Sequence, residues 1–163
     1  MFAPFHELFY PRQAVLVTAS SNEKTNVTAV EWATPVGETP PMVAFSLSTT
    51  SLTLDLICTS MEFVVAIPTE KIREAVVLCG STSGKFIDKF AEGKLTQVRA
   101  KKVSAPLVLE AAANMECKVL SCINAGDHVI VVGEIVEIHP LKGSEPLLFS
   151  SGGKKLFGYK QEE

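Results

Sequence analysis

The sequence predicts a mainly β fold, a closed antiparallel barrel with short helices over its ends. Three observations carry this. At least six short β-rich runs are separated by turn signals, only two or three segments have helical spacing, and regular βαβ alternation is missing. The absence of that alternation disfavours a doubly wound parallel sheet.

The elements follow in order. Val15 to Ala19 is an apolar, β-branched run after Pro11 that stops at Ser20-Ser21-Asn22, and it predicts the first strand. Val27 to Trp32 predicts the second, across a turn at 22–26. Met42 to Leu47, after Pro40-Pro41, predicts the third. Leu52 to Ile57 is ambiguous, but its Ser/Thr start favours a short helix. Glu62 to Ile67 predicts a fourth strand, closed by Pro68. Thr69 is the expected N-cap of a helix that puts Ile72, Ala75, Val76 and Leu78 on one face.

Gly80 to Gly84 reads as a loop. Phe86, Ile87 and Phe90 then predict a short helix ending at Gly93, with Lys85 and Lys89 sharing a face. Val103 to Leu109 predicts an irregular strand carrying Pro106. Asn114 to Ile123 and His128 to His139 are long β runs joined at 124–127, the strongest hairpin signal in the chain. Leu147-Leu148-Phe149, a Gly152-Gly153 turn and Leu156-Phe157 complete it. No repeat or linker breaks the chain, so residues 1–163 form one expected domain.

Composition narrows the function. Apolar residues are 47%, which suffices for a core, and charged residues are 20% with a net charge of −3. The pairs Lys101-Lys102 and Lys154-Lys155 are too short to form a nucleic-acid surface. No apolar run reaches the roughly 18 residues of a membrane span, and the N-terminus lacks a secretory pattern. A cytoplasmic location is expected. Cys58, Cys79, Cys117 and Cys122 form no C-x-x-C pair, and no metal site is expected. They read as small buried hydrophobes, with Cys117 and Cys122, five apart, on opposite faces of a strand.

The chemistry concentrates in 26–53. An apolar strand ends in Ser48, Thr49, Thr50, Ser51 and Thr53, while Trp32 and Thr34 lie upstream. Hydroxyls entering a helix can hold a phosphate, and an indole offers a flat apolar face. Flavin mononucleotide (FMN) combines a phosphate with a flat ring system. Turn and cap roles for the hydroxyls, and a core role for Trp32, stand as the structural alternative. Lys85 and Lys89 can meet phosphate or the anionic edge of a reduced ring; otherwise they are solvated lysines flanking core Phe86 and Phe90. His128, after Gly126-Asp127, can donate to a ring carbonyl or meet a nicotinamide, or else is a turn residue.

Two chemistries are excluded. Gly80 to Lys85 resembles a nucleotide-phosphate loop, but only three residues separate its glycines and Phe86 follows the lysine. No G-x-S-x-G nucleophile elbow occurs.

Six segments together resemble the flavin reductase-like family of FMN-binding split barrels, with the flavoredoxin-type branch nearest. They are P-R-Q-A-V-L-V-T at 11–18, N-V-T-A-V-E-W-A-T-P-V at 26–36 and P-P-M-V-A-F-S-L at 40–47. E-F-V-V-A-I-P at 62–68, C-G-S-T-S-G-K-F-I-D-K-F at 79–90 and G-D-H-V-I-V-V-G-E-I-V at 126–136 complete the set. The resemblance implies a Greek-key-like barrel and a homodimer holding one non-covalent FMN per subunit near the interface. It implies Trp32, Ala33 and Thr34 along the ring edge, and Ser48, Thr49, Thr50, Ser51 and Thr53 around the ribityl phosphate. Lys85 and Lys89 approach the flavin, His128 lies near the ring as the catalytic candidate, and Phe157 packs over it. Ala66 stands where the family usually carries asparagine.

The expected activity is transfer of hydride or electrons between NADH or NADPH and FMN or an acceptor. The rival is an FMN-binding electron carrier reduced by a partner protein.

Overall fold

The computed structural model describes residues 4–140, 143, 145–152 and 155–160. Gly153 of the expected glycine turn and Lys154 of the second lysine pair lie outside them. Among the described residues, twelve strands and three α-helices follow one another. Strands β1 (Arg12–Gln13), β2 (Val15–Ser21), β3 (Lys24–Val30), β4 (Ala33–Glu38) and β5 (Pro41–Ser48) lead into helix α1 (Leu52–Ser60). Strand β6 (Glu62–Ile67), helices α2 (Arg73–Ser81) and α3 (Lys89–Glu92), and the short strands β7 (Gln97–Val98) and β8 (Leu107–Val108) come next. The long β9 (Ala113–Ala125) and β10 (His128–His139) precede β11 (Leu147–Ser150) and β12 (Leu156–Tyr159).

Seven strands form one sheet in the order β3-β2-β6-β9-β10-β5-β4, and every pairing in it is antiparallel. The sheet curls, because side chains from six of its strands meet in one apolar core. Val17, Val30, Phe45, Phe63, Cys117 and Val131 are among them, with Leu54 and Ile57 of α1. Phe45 and Phe63 meet edge to face with centroids 5.0 Å apart. The amide of Ser46 donates to Trp32 O at 3.0 Å, joining the segment after β3 to β5.

Strand β2 is buried on both faces, which is why it reads as an unbroken apolar run. Val15, Val17 and Ala19 enter the barrel core, whereas Leu16 enters a second core with Val27, Ala66, Val76, Cys79 and Phe90. That second core seats α2 on β3. A Cβ at Gly80 would lie 3.3 Å from that of Ala29, so the glycine permits the close approach. Ala66 is fully buried here, opposite Leu16 and Asn114. β1, β11 and β12 form a separate three-stranded sheet.

Several expectations need correction. Trp32 lies in a bend beyond β3, not in a strand. The intervening β4 was not expected; its Pro35 and Gly37 mask it, and it is an exposed edge strand where neither residue is costly. Thr69 makes no side-chain cap; a 3-10 turn at Glu70–Ile72 precedes α2, which continues through Gly80 to Ser81. Helix α3 begins only at Lys89, because Asp88 caps it by accepting from the Phe90 and Ala91 amides at 3.0 and 3.1 Å. Phe86 therefore stands outside it and is 85% exposed. Lys85, also outside, shares no helix face with Lys89. In the 103–109 segment only Leu107–Val108 is strand.

The cysteine reading also changes. Cys79 and Cys117 are buried, but Cys58 and Cys122 are exposed. A bulge at Leu120, where Val132 pairs Ser121 and Gly133 pairs Val119, restores Cys122 to the face of Cys117. Cys122 opposes Val131 and Cys117 opposes Ile135, both packed with the barrel core. Among the described residues, no helix is long and apolar enough to cross a membrane.

Candidate functional site

A cavity of about 510 Å³ opens between the barrel, α2 and the N-terminal segment. That volume lies within the range of small-molecule sites. Its chemistry comes from Tyr10, Glu31, Trp32, Ser48, Ser51 and His128, and its apolar wall from Val76, Val77 and Leu156.

The hairpin positions one side. Gly126 takes φ +67° in the tight turn, and His128 then opens β10 directly opposite Ser48 of β5. The amide of Thr49 donates to Asp127 O at 3.0 Å, which ties the hydroxyl loop to this turn. Within the loop, Ser48 Oγ lies 3.0 Å from Thr50 Oγ1 and accepts from the Thr50 amide at 3.3 Å. Ser51 occupies the N-cap of α1 in an extended conformation, yet its side chain makes no cap bond. The first amides of α1 therefore lack a side-chain acceptor, and the Ser51 side chain lines the cavity. An uncapped helix start flanked by hydroxyls is an anion-binding arrangement.

Aromatic faces form the other side. The Trp32 and His128 rings lie 5.0 Å apart, tilted by 33°, and His6 lies 6.0 Å from Trp32. His128 Nδ1 is 2.8 Å from Asp127 Oδ1. The hydrogen bond from His128 holds the Asp127 carboxyl below its usual range. Tyr10 Oη donates to Glu31 Oε2 at 2.6 Å. That bond, then burial and the Glu31 charge, push the phenol up to about 12.

The expected site residues separate into groups. Trp32, Ser48, Ser51 and His128 meet at the cavity. Thr49 and Thr50 belong to the same loop and are held by the bonds above. Thr53 is fully buried and accepts from Asn26 Nδ2 at 2.9 Å. A Cβ at Gly84 would overlap Asn26 Oδ1, so any larger residue there would displace the Asn26 amide. Ala33 packs against the barrel core opposite Phe45, and Thr34 is exposed on β4, its hydroxyl 3.3 Å from Pro35 O.

Lys85 Nζ donates to Thr50 O at 3.0 Å from outside the hydroxyl loop. Lys89 is buried and donates to Cys79 O at 2.7 Å, away from the cavity wall. Burial lowers its ammonium below the usual lysine range, opposed by nearby Cys79. Phe157 pairs with Phe149 across β11–β12, with rings 6.1 Å apart, whereas its neighbour Leu156 lines the cavity. Successive strand residues point oppositely, so Phe157 faces away.

Sequence reasoning missed Tyr10, Glu31 and the wall from α2. A carboxylate beside Trp32 in an apolar run was a visible signal for Glu31. Its partner lies 21 residues away and carries no local cue.

Comparison with known proteins now bears on this cavity. Residues 7–156 match the family described as "Flavin reductase like domain". A protein of Archaeoglobus fulgidus is 36% identical over 132 residues, covering 81% of this chain and 74% of that one. An NADH-dependent FAD reductase of Streptomyces globisporus is 24% identical over 155 residues, covering 94% and 84%. Among solved structures, an FMN-binding protein from Thermus thermophilus superposes with a TM-score of 0.88 at 22% identity, covering 100% and 94%. Flavoredoxin of Desulfovibrio vulgaris gives 0.83 at 25% identity, covering 94% and 88%. The fold is the split barrel of FMN-binding proteins.

Proposed function

The chain belongs to the flavin reductase-like domain family, and from that premise we propose that it binds FMN without a covalent link and oxidises NADH or NADPH. The observation that carries the proposal is the uncapped start of α1 beside Ser48 and Ser51, in one cavity with Trp32 and His128. These residues fit FMN: the polar end suits a phosphate and the aromatic end a planar ring. Bound FMN supplies hydride and electron transfer.

The chain's residues have narrower tasks. Ser48, Ser51 and the first amides of α1 hold the phosphate, while Lys85, bonded to Thr50 O, steadies the loop and adds positive charge. Trp32 contributes the apolar face. His128 is oriented by Asp127 at 2.8 Å, so its other ring nitrogen is left for a ligand. No side-chain nucleophile is required. The second substrate enters through the cavity mouth beside Tyr10. A homodimer is part of the proposal, and the exposed Leu120, Ile123 and Ile138 on the β9–β10 hairpin are candidates for its contact.

The flavoredoxin likeness favours a second reading, an electron carrier reduced by a partner protein. Anaerobic mixing of the flavin-loaded protein with NADH and NADPH separates the two. Rapid bleaching of the flavin bands is expected. Persistent colour with both nucleotides supports the carrier, and failure to take up FMN removes both.

A further inference from the structure

A cation stands beside two residues of the cavity wall. Arg12 is half-buried in β1, its backbone set by pairing with Ser150 of β11. Its Nε donates to Phe9 O at 3.1 Å. The guanidinium carbon lies 4.9 Å from the Phe9 ring, 5.5 Å from Tyr10 and 5.9 Å from Trp32. Tyr10 and Trp32 both line the cavity, so Arg12 lies next to its wall.

Three rings and one carbonyl fix this group. Among the described residues, no carboxylate lies within ion-pair distance of Arg12, and its terminal nitrogens have no acceptor. The acids around neighbouring Tyr10 are Glu7 and Glu31, and Glu31 is engaged by the Tyr10 phenol. A guanidinium stacked on aromatic faces keeps its N–H edge free, and that edge matches a phosphate in bidentate geometry.

The phosphate cradle of the cofactor lies further along the site. Arg12 touches Trp32, Trp32 neighbours His128, and His128 pairs with Ser48. A chain of net charge −3 repels an anionic substrate and needs a local cation to seat one.

We infer that Arg12 is a specificity-determining residue that binds the phosphate of the reduced nicotinamide dinucleotide entering beside Trp32. This rests on the nicotinamide reading above.

The test uses the FMN-loaded protein and its Arg12→Met and Arg12→Lys variants. Two readouts are taken: anaerobic reduction of the flavin and calorimetric binding of NAD+ and NADP+. N-benzyl-1,4-dihydronicotinamide, a donor without phosphate, is the control. Arg12→Met should weaken dinucleotide binding and raise the half-saturating donor concentration at least tenfold. Rates with the phosphate-free donor should stay within twofold, as should FMN affinity. Arg12→Lys, which keeps charge but loses the fork, should fall between.

Equal losses with both donors overturn the inference, as does unchanged dinucleotide binding. Weakened FMN assigns Arg12 to the cofactor and overturns it too. If the wild type is reduced by the phosphate-free donor but by neither dinucleotide, the nicotinamide reading fails and takes the inference with it. Dinucleotide binding and reduction left unchanged by Arg12→Met, with a wild type that dinucleotides do reduce, sink the inference alone.

Discussion

The Tyr10 phenol donates a hydrogen bond to Glu31 Oε2 at 2.6 Å, and both side chains line the candidate cavity. The bond favours the protonated phenol, and with burial it raises the Tyr10 pKa from the usual 10 to about 12. A raised folded-state value adds stability below the unfolded pKa, and this is lost as pH rises from about 10 through about 12. The chain has two tyrosines, so the Tyr159→Phe variant leaves Tyr10 as the one phenol to follow by ultraviolet absorbance. Its midpoint is expected near 12, and Glu31→Gln should bring it down. A midpoint near 10 with Glu31 intact would show that the bond does not persist in solution.

Trp32 bears on the cofactor through area and shape. Truncation to alanine removes an aromatic face from the cavity wall, and FMN affinity should fall by about 1–3 kcal/mol. Quenching of flavin fluorescence on binding measures it. Unchanged affinity would make Trp32 a structural residue only.

Ser51 separates a ligand role from a capping role. A serine that caps a helix contributes about 1 kcal/mol to stability, but this one makes no cap bond. Ser51→Ala should leave the melting temperature of the flavin-free protein unchanged within a degree or so. It should weaken FMN by about 0.5–1.5 kcal/mol, the worth of one hydrogen bond. Riboflavin, lacking the phosphate, should bind both proteins alike; equal loss for the two ligands would place Ser51 elsewhere than at the phosphate.

The legible parts of this chain were those whose signal is local. The limits of Glu62–Ile67 follow from its own residues and Pro68, and the β9–β10 hairpin from Gly126-Asp127 between two β-branched runs. The Ser48–Ser51 loop and Trp32 were readable as chemistry because their residue types are concentrated. What was hidden depends on distant partners. Strand β4 exists because β5 offers it an edge, against the preference of Pro35 and Gly37. Lys89 reads as a flavin-facing or solvated lysine until Cys79 O supplies a buried acceptor. The Leu120 bulge, which changes the face of Cys122, is a property of strand pairing that no single-strand parity rule contains.

Lys89 is a buried ammonium whose pKa is lowered by desolvation. Between the lowered folded value and the ordinary 10.5, the unfolded chain binds more protons, so the contribution of Lys89 to stability rises with pH. The difference in unfolding free energy between wild type and Lys89→Met should therefore grow in favour of wild type from pH 7 to pH 9.5 in urea titrations. A pH-independent difference would mean that Lys89 titrates normally. FMN affinity of the same variant, falling beyond what stability explains, would give this lysine the cofactor role that the resemblance implies.

Glu116 is a fully buried carboxylate at the opposite side of β9 from Cys117. Burial alone would raise its pKa, but the Lys101 amide, the His139 ring at 2.7 Å and the Lys102 amide outweigh it and hold the carboxyl below its usual range. The Val103 amide adds a longer contact at 3.2 Å. The carboxylate thus fastens the 101–103 segment onto the barrel. A depressed folded value gives stability that is present above pH 4.5 and lost as pH falls through the folded pKa. Glu116→Ala should cost about 3–5 kcal/mol, because it leaves buried donors without an acceptor. Glu116→Gln, which keeps the shape, allows the pH test. Its deficit against wild type in urea unfolding should be largest near pH 7 and shrink at pH 3.5. A deficit that does not change with pH would mean that Glu116 titrates in the folded chain as it does in the unfolded one, and the segment would then be held by packing, not by charge.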